Sequence, residues 1–128
     1  MPILLDTHVW VWSIDDAPRL TNRAMQAIEA ADSIFVSPIT LFEICQKVRI
    51  GKWPEMERYA GQLQELLSIQ SIALTPVSAD IATSAGLLDW PRRDPFDRIL
   101  AATALVMGMD LISADTAFDS LPGLRRVW

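Results

Sequence analysis

Short apolar runs alternate with longer stretches of helical spacing along the whole chain. Ile3–Asp6 is the first run, three apolar residues closed by an acid, and it predicts a buried strand. A helical turn follows through Val9–Trp12. Thr21 is placed to cap a helix over Asn22–Ala31, and Ser33–Val36 reads as a second strand. Ser37 or Pro38 then opens a helix carrying Leu41, Phe42, Ile44, Cys45 and Val48, which Gly51 ends. Trp53-Pro54 begins another helix with Leu63, Leu66 and Leu67 on one side, and Ile72–Leu74 predicts a third strand.

Ser78 caps a helix running to Leu88. Asp94-Pro95 opens a longer one, with Phe96, Ile99, Leu100, Thr103 and Met107 at helical spacing and Gly108 as its stop. Leu111 and Ile112 make a fourth strand, Leu124–Val127 a weak fifth. Strands alternating with helices imply an α/β domain with a parallel sheet of four to five strands, covered on both faces. Repeats, low-complexity stretches and linkers are absent from the pattern, so residues 1–128 are expected to form one domain.

Composition supports a packed core, since hydrophobic residues make up 51% of the chain. Apolar runs stay short of the ~18 residues of a membrane span. The start of the chain does not read as a signal peptide, and a single cysteine excludes an intrachain disulfide. Cys45, within an apolar helical pattern, is expected to be a buried thiol. These features point to the cytoplasm. The net charge of −5 runs against the basic surface usual in nucleic-acid enzymes. With Asp6, Glu43, Asp94, Asp97 and Asp115 set aside, the other residues balance.

Those five acids stand at the ends of elements. Asp6 closes the first strand, Asp115 follows the fourth, Asp97 lies in the first turn of the long helix, and Glu43 lies in the helix after the second strand. In open α/β sheets, sites form beyond the carboxyl ends of the strands, where these side chains would converge. Each acid also has a purely structural reading. Asp6 and Asp115 can cap the segments after them, Glu43 can pair with Lys47 at i,i+4 on a wet face, and Asp97 suits the helix dipole. Asp94 is best read as an N-cap before Pro95.

Taken together, clustered carboxylates repel one another, and hard divalent cations relieve the repulsion. Mg²⁺ takes oxygen ligands and keeps several waters, which suits carboxylates acting on a phosphate ester. His8 is the only histidine, so catalysis by a histidine pair is excluded; its default role is packing or hydrogen bonding.

The stretches Leu4-Leu5-Asp6-Thr7-His8-Val9-Trp10, Val36-Ser37-Pro38-Ile39 leading to Glu43, Arg93–Ala102 and Leu111–Asp115 resemble the PIN-domain family, and within it the VapC-type toxins of toxin–antitoxin pairs. The resemblance implies a three-layer α/β/α fold and Mg²⁺- or Mn²⁺-dependent cleavage of RNA. It places Asp6, Glu43, Asp97 and Asp115 at the metal-site positions, Ser113 beside them as a hydroxyl near metal waters, and Asp94 at a position that often carries an acid. It also implies a cognate antitoxin protein and a homodimer.

Arg92, Arg93 and Arg98 flank the cluster and are candidates for RNA phosphates, with pairing to a nearby carboxylate as the alternative for Arg98. The five tryptophans are assigned mainly to core and protein contacts. A haloacid-dehalogenase-type phosphatase would need an acid where His8 stands and a lysine in the last third of the chain; both are missing. An inactive PIN-like binding scaffold would be expected to lack one of the four acids. A PIN nuclease acting on structured DNA would carry long insertions. PIN nucleases of RNA processing without a toxin role remain the other alternative.

Overall fold

The computed structural model describes residues Met1–Trp128. Five parallel strands form one sheet in the order β3-β2-β1-β4-β5: β1 Ile3–Leu5, β2 Ile34–Val36, β3 Ala73–Leu74, β4 Asp110–Ile112 and β5 Arg126–Val127. Six α-helices connect them: α1 Thr7–Asp15, α2 Asn22–Ala30, α3 Pro38–Arg49, α4 Leu63–Ile69, α5 Ala79–Leu87 and α6 Pro95–Met107. This is the three-layer α/β/α arrangement expected.

The pleat divides the core in two. On β1, Ile3 and Leu5 join Val9, Trp10, Ile44, Leu67 and Ile112 on one face, beneath α1–α4. Leu4 points the other way and packs with Leu100, Leu111 and Phe118 beneath α6. Strands buried on both faces read as unbroken apolar runs, as these do.

Local chemistry starts the helices where the sequence indicates. The side chains of Thr21, Ser37 and Ser78 accept from the backbone N–H of Ala24, Ile39 and Ile81. Asp94 accepts from Phe96 N at 2.8 Å, with Pro95 in the first helical position. Gly108, at φ 65°, ends α6 in the left-handed conformation.

Two expectations are corrected. The helix expected from Trp53-Pro54 is instead two 3₁₀ turns, Pro54–Met56 and Ala60–Gln62, before α4 begins at Leu63. Trp53 and Met56 are both buried, so tertiary packing of this segment overrides its helical spacing. Cys45 is exposed, not buried. The segment Ala60–Glu65 passes beside it but leaves an open groove of about 430 Å³, into which the thiol faces.

Sheet order locates the site. From β1 the chain builds outward through β2 and β3, then returns to add β4 on the other side of β1. The switch in direction falls between β1 and β4, and the crevice beyond their carboxyl ends is the place where such sheets bind ligands.

Candidate active site

Asp6 and Ser113 are the residues that leave β1 and β4 at this crevice. Leu5 pairs with Ile112 in the sheet, and Asp6 N donates to Ile112 O at 3.0 Å, so the two ends are held in register. The Ser113 hydroxyl donates to Asp6 Oδ2 at 2.6 Å and accepts from Asp115 N at 3.0 Å. One serine thus ties the two loops together. Asp6 occupies the N-cap position of α1, yet its carboxylate makes no capping bond there. Its structural reading is not realised.

Glu43 reaches the same place from α3. A Thr7–Thr40 hydroxyl contact of 2.9 Å, fully buried, fixes α3 against the start of α1 one turn before Glu43. Glu43 is 6% exposed while its neighbour Phe42 is 57% exposed, an inversion of the ordinary amphipathic pattern. The Lys47 ammonium does pair with Glu43, at 2.6 Å, but the carboxylate is buried and not on a wet face.

Asp97 enters from the first turn of α6, and Asp115 from the loop after β4. Asp6, Glu43, Asp94, Asp97 and Asp115 all line one cleft of about 420 Å³. Asp94 and Asp115 also serve as caps; Asp115 Oδ1 accepts from Ala117 N at 2.9 Å. The structural and cleft-lining readings hold together for these two.

The cleft is electrostatically strained. Burial holds the Asp6 carboxyl above the ordinary aspartate range, against the Ser113 hydrogen bond that favours its charged form. Asp97 is pushed up to about 7, by burial first, then by Asp94, and by Asp6 and Asp115; Arg92 opposes the shift. Arg92 is the internal counter-charge. Its guanidinium lies 3.3 Å from Asp97 and also pairs with Asp115.

A consequence follows for stability. In the unfolded chain Asp97 titrates near its ordinary 3.8, in the folded protein near 7. The folded state therefore holds this proton more tightly. Its contribution is complete below the unfolded value and is lost as pH rises through about 7. In EDTA, Asp97→Asn should melt several degrees above wild type at alkaline pH, with the gap shrinking as pH falls toward the ordinary carboxylate range. Melting curves across that range check this; a gap independent of pH would contradict it.

As the side chains stand, no three histidine, cysteine, aspartate or glutamate residues come close enough to share one ion. The donor set nevertheless fits a hard divalent cation. It consists of carboxylates plus a hydroxyl, and beside Asp97, which burial raises first, Asp94, Asp6 and Asp115 act in the same direction against Arg92.

The three flanking arginines separate. Arg92 joins the acids. Arg93 is exposed and does not line the cleft. Arg98 corrects both of its expectations, since it pairs with no carboxylate and its half-buried guanidinium is spent on the backbone and not held free for a phosphate. Its guanidinium donates to five carbonyls: Ala85, Trp90 and Arg92 at 2.8 Å, Leu88 at 2.6 Å and Gly86 at 3.4 Å. It staples the loop between α5 and α6, which carries Arg92 and Asp94.

Trp10, Trp53 and Trp90 are buried, as the assignment of most tryptophans to the core requires. Cleft walls that the sequence reading did not place there are Trp12, Arg19 and Lys47, with His8. For His8 and Trp12 a signal existed, because i and i+4 share one face of α1. Arg19 stands outside every motif.

The sequence matches the PIN domain over residues 3–124, and the chain belongs to that family. It is 34% identical over 121 residues to Ribonuclease VapC22 of Mycobacterium tuberculosis (strain ATCC 25618 / H37Rv), covering 92% of this chain and 90% of that protein. In three dimensions it resembles VapBC2 from Rickettsia felis bound to a DNA fragment from their promoter. The TM-score is 0.73 at 22% identity, covering 98% of this chain and 97% of that one. DNA-bound VapBC from Salmonella typhimurium gives a TM-score of 0.74 at 18% identity, covering 98% and 96%. At those identities the two structures speak for the fold.

Proposed function

We propose that this protein is a Mg²⁺- or Mn²⁺-dependent endoribonuclease and the toxin of a toxin–antitoxin pair. The observation that carries the reading is the set of carboxylates lining one cleft at the sheet's switch point, in a chain 34% identical to Ribonuclease VapC22. Asp6, Glu43, Asp97 and Asp115 would hold the cation. Bound there, it supplies Lewis acidity to the scissile phosphate and lowers the pKa of the attacking water.

The chain's own groups do the rest. Ser113 fixes the Asp6 carboxylate by donating to it across the two strand ends, and by accepting from Asp115 N it shapes the loop that carries Asp115. Asp94 fixes the start of α6 and so the placement of Asp97. Lys47 pairs with Glu43 and so orients its carboxylate at the cleft. Of the arginines beside the acids, exposed Arg93 is the candidate to meet RNA phosphate at the rim, while Arg92 is engaged by Asp97 and Asp115.

An unrestrained ribonuclease harms its host, so a co-encoded antitoxin protein is part of this reading, as are a cytoplasmic location and a homodimer. The resemblance to VapBC structures supports the antitoxin. Expression of the wild type should arrest growth, co-expression of the adjacent gene should restore it, and Asp6→Asn should be harmless. Normal growth with abundant folded wild type would defeat the toxin assignment while leaving nuclease activity open.

A further inference from the structure

The acid cleft continues into a second hollow of about 380 Å³, and His8, Trp12 and Arg19 form the wall common to both. The His8 ring lies 5.8 Å from Trp12 and 5.2 Å from Trp53. Trp12 is backed by Trp128 at 5.7 Å, which holds it in place from outside α1. His8 is exposed and offers open ring surface, Trp12 is half-buried beside it with Arg19 resting on its ring, and Trp53 is buried beneath them.

Arg19 adds the charge. Its guanidinium rests over the Trp12 ring, 4.5 Å from the centroid. The other cations on the cleft are paired, Lys47 with Glu43 and Arg92 with Asp97 and Asp115. Arg19 forms no ion pair and no side-chain hydrogen bond, so among these cations it is the one available to an incoming anion. The outer hollow is rimmed by Asp15, Asp16 and Glu55, which repel phosphate but accept from amino groups on a base edge.

We infer that His8, Trp12 and Arg19 form a nucleotide subsite beside the acid cleft: one base of single-stranded RNA stacks on His8 and Trp12 in the outer hollow, and its phosphate meets Arg19. Aromatic faces take bases by stacking with little sequence demand, and arginine serves both as a stacking plane and as a phosphate contact. The subsite rests on the ribonuclease reading for its substrate class. It deepens that reading by fixing on which side of the acids the strand lies and which residues grip it.

The test uses fluorescently labelled oligocytidylate of about twelve nucleotides, a length within the usual range of single-strand sites, and the same backbone lacking every base. Binding is followed by anisotropy with Ca²⁺ in place of Mg²⁺, and cleavage of oligocytidylate is measured separately in Mg²⁺. Wild type should bind the base-bearing strand about tenfold more tightly than the abasic one. His8→Ala and Trp12→Leu should lose that preference. Arg19→Gln should weaken both ligands alike and reduce the salt slope by about one.

Equal binding of the two strands by wild type overturns the subsite, and this comparison needs no variant, so misfolding of Trp12→Leu cannot obscure it. Retention of the preference by His8→Ala and by folded Trp12→Leu also overturns it, and would leave the aromatic wall as a protein-contact surface. Cleavage without base preference sinks the subsite and spares the ribonuclease. Base preference without any cleavage sinks the ribonuclease and spares the subsite.

Discussion

Asp97→Asn should lower RNA cleavage at least about a hundredfold while the protein stays folded. The substitution keeps the side chain's size and its place in the first turn of α6, so packing changes little. What it removes is a negative charge in a cleft shared with Asp6, Glu43 and Asp115. If the cation is held by that charge, its loss removes transition-state stabilisation of several kcal/mol. Circular dichroism should be unchanged, and in EDTA the variant should be more stable than wild type at alkaline pH, because Asp97 is pushed up to about 7. This pairing of lost activity with gained stability distinguishes a ligand from a structural cap. Retention of more than about a tenth of the rate would remove Asp97 from the proposed machinery.

Arg98→Ala should be among the most destabilising single changes outside the core. The guanidinium satisfies carbonyls at Ala85, Gly86, Leu88, Trp90 and Arg92, all in or after the end of α5. Charge-assisted hydrogen bonds are worth about 1.5–3 kcal/mol each in favourable cases, and they do not add fully when they share one donor group. A loss of about 3 kcal/mol or more is expected in denaturant unfolding. Arg98→Lys should recover little, since an ammonium cannot reproduce the planar fork. Cleavage should also fall, because the loop positions Arg92 and Asp94. Full stability in Arg98→Ala, with weakened RNA binding alone, would return Arg98 to the role of a phosphate contact.

How much of this was legible in the sequence depends on how local the signal was. Caps at Thr21, Ser37, Ser78 and Asp94 act within three residues of themselves, and each opens a helix where expected. The apolar runs around Leu4 and Leu111 announced a sheet buried on both faces, and the acids closing those runs fell at its carboxyl edge. The stretch from Trp53 to Gln62 was illegible because its conformation is set by Trp53 and Met56 entering the core, not by its own spacing. Cys45 was misread for a related reason: helical spacing shows which residues share a face, but not whether the neighbouring segment closes over that face.

The site shows the same division. Asp6, Glu43, Asp97 and Asp115 were found through element ends and family resemblance, and the structure brings them to one cleft. Arg98 was not readable, because its partners are backbone carbonyls whose directions no side-chain pattern encodes. Arg92 was placed near the acids but not among them; only the path of the loop turns its guanidinium inward. Glu43 is the instructive case. A buried acid beside an exposed phenylalanine breaks the helical pattern of α3, and such a local violation at a cleft is where a functional constraint is expected to show.

Above all, this cluster of carboxylates is proposed to cleave RNA with a bound divalent cation. The most direct measurement is the fate of a generic single-stranded RNA incubated with purified wild type, with Asp97→Asn as control. Wild type should leave the RNA intact in EDTA and cleave it when Mg²⁺ or Mn²⁺ is restored in excess, and Asp97→Asn should leave it intact throughout. Cleavage by wild type that persists undiminished in EDTA, or that Asp97→Asn reproduces at full rate, would contradict the claim.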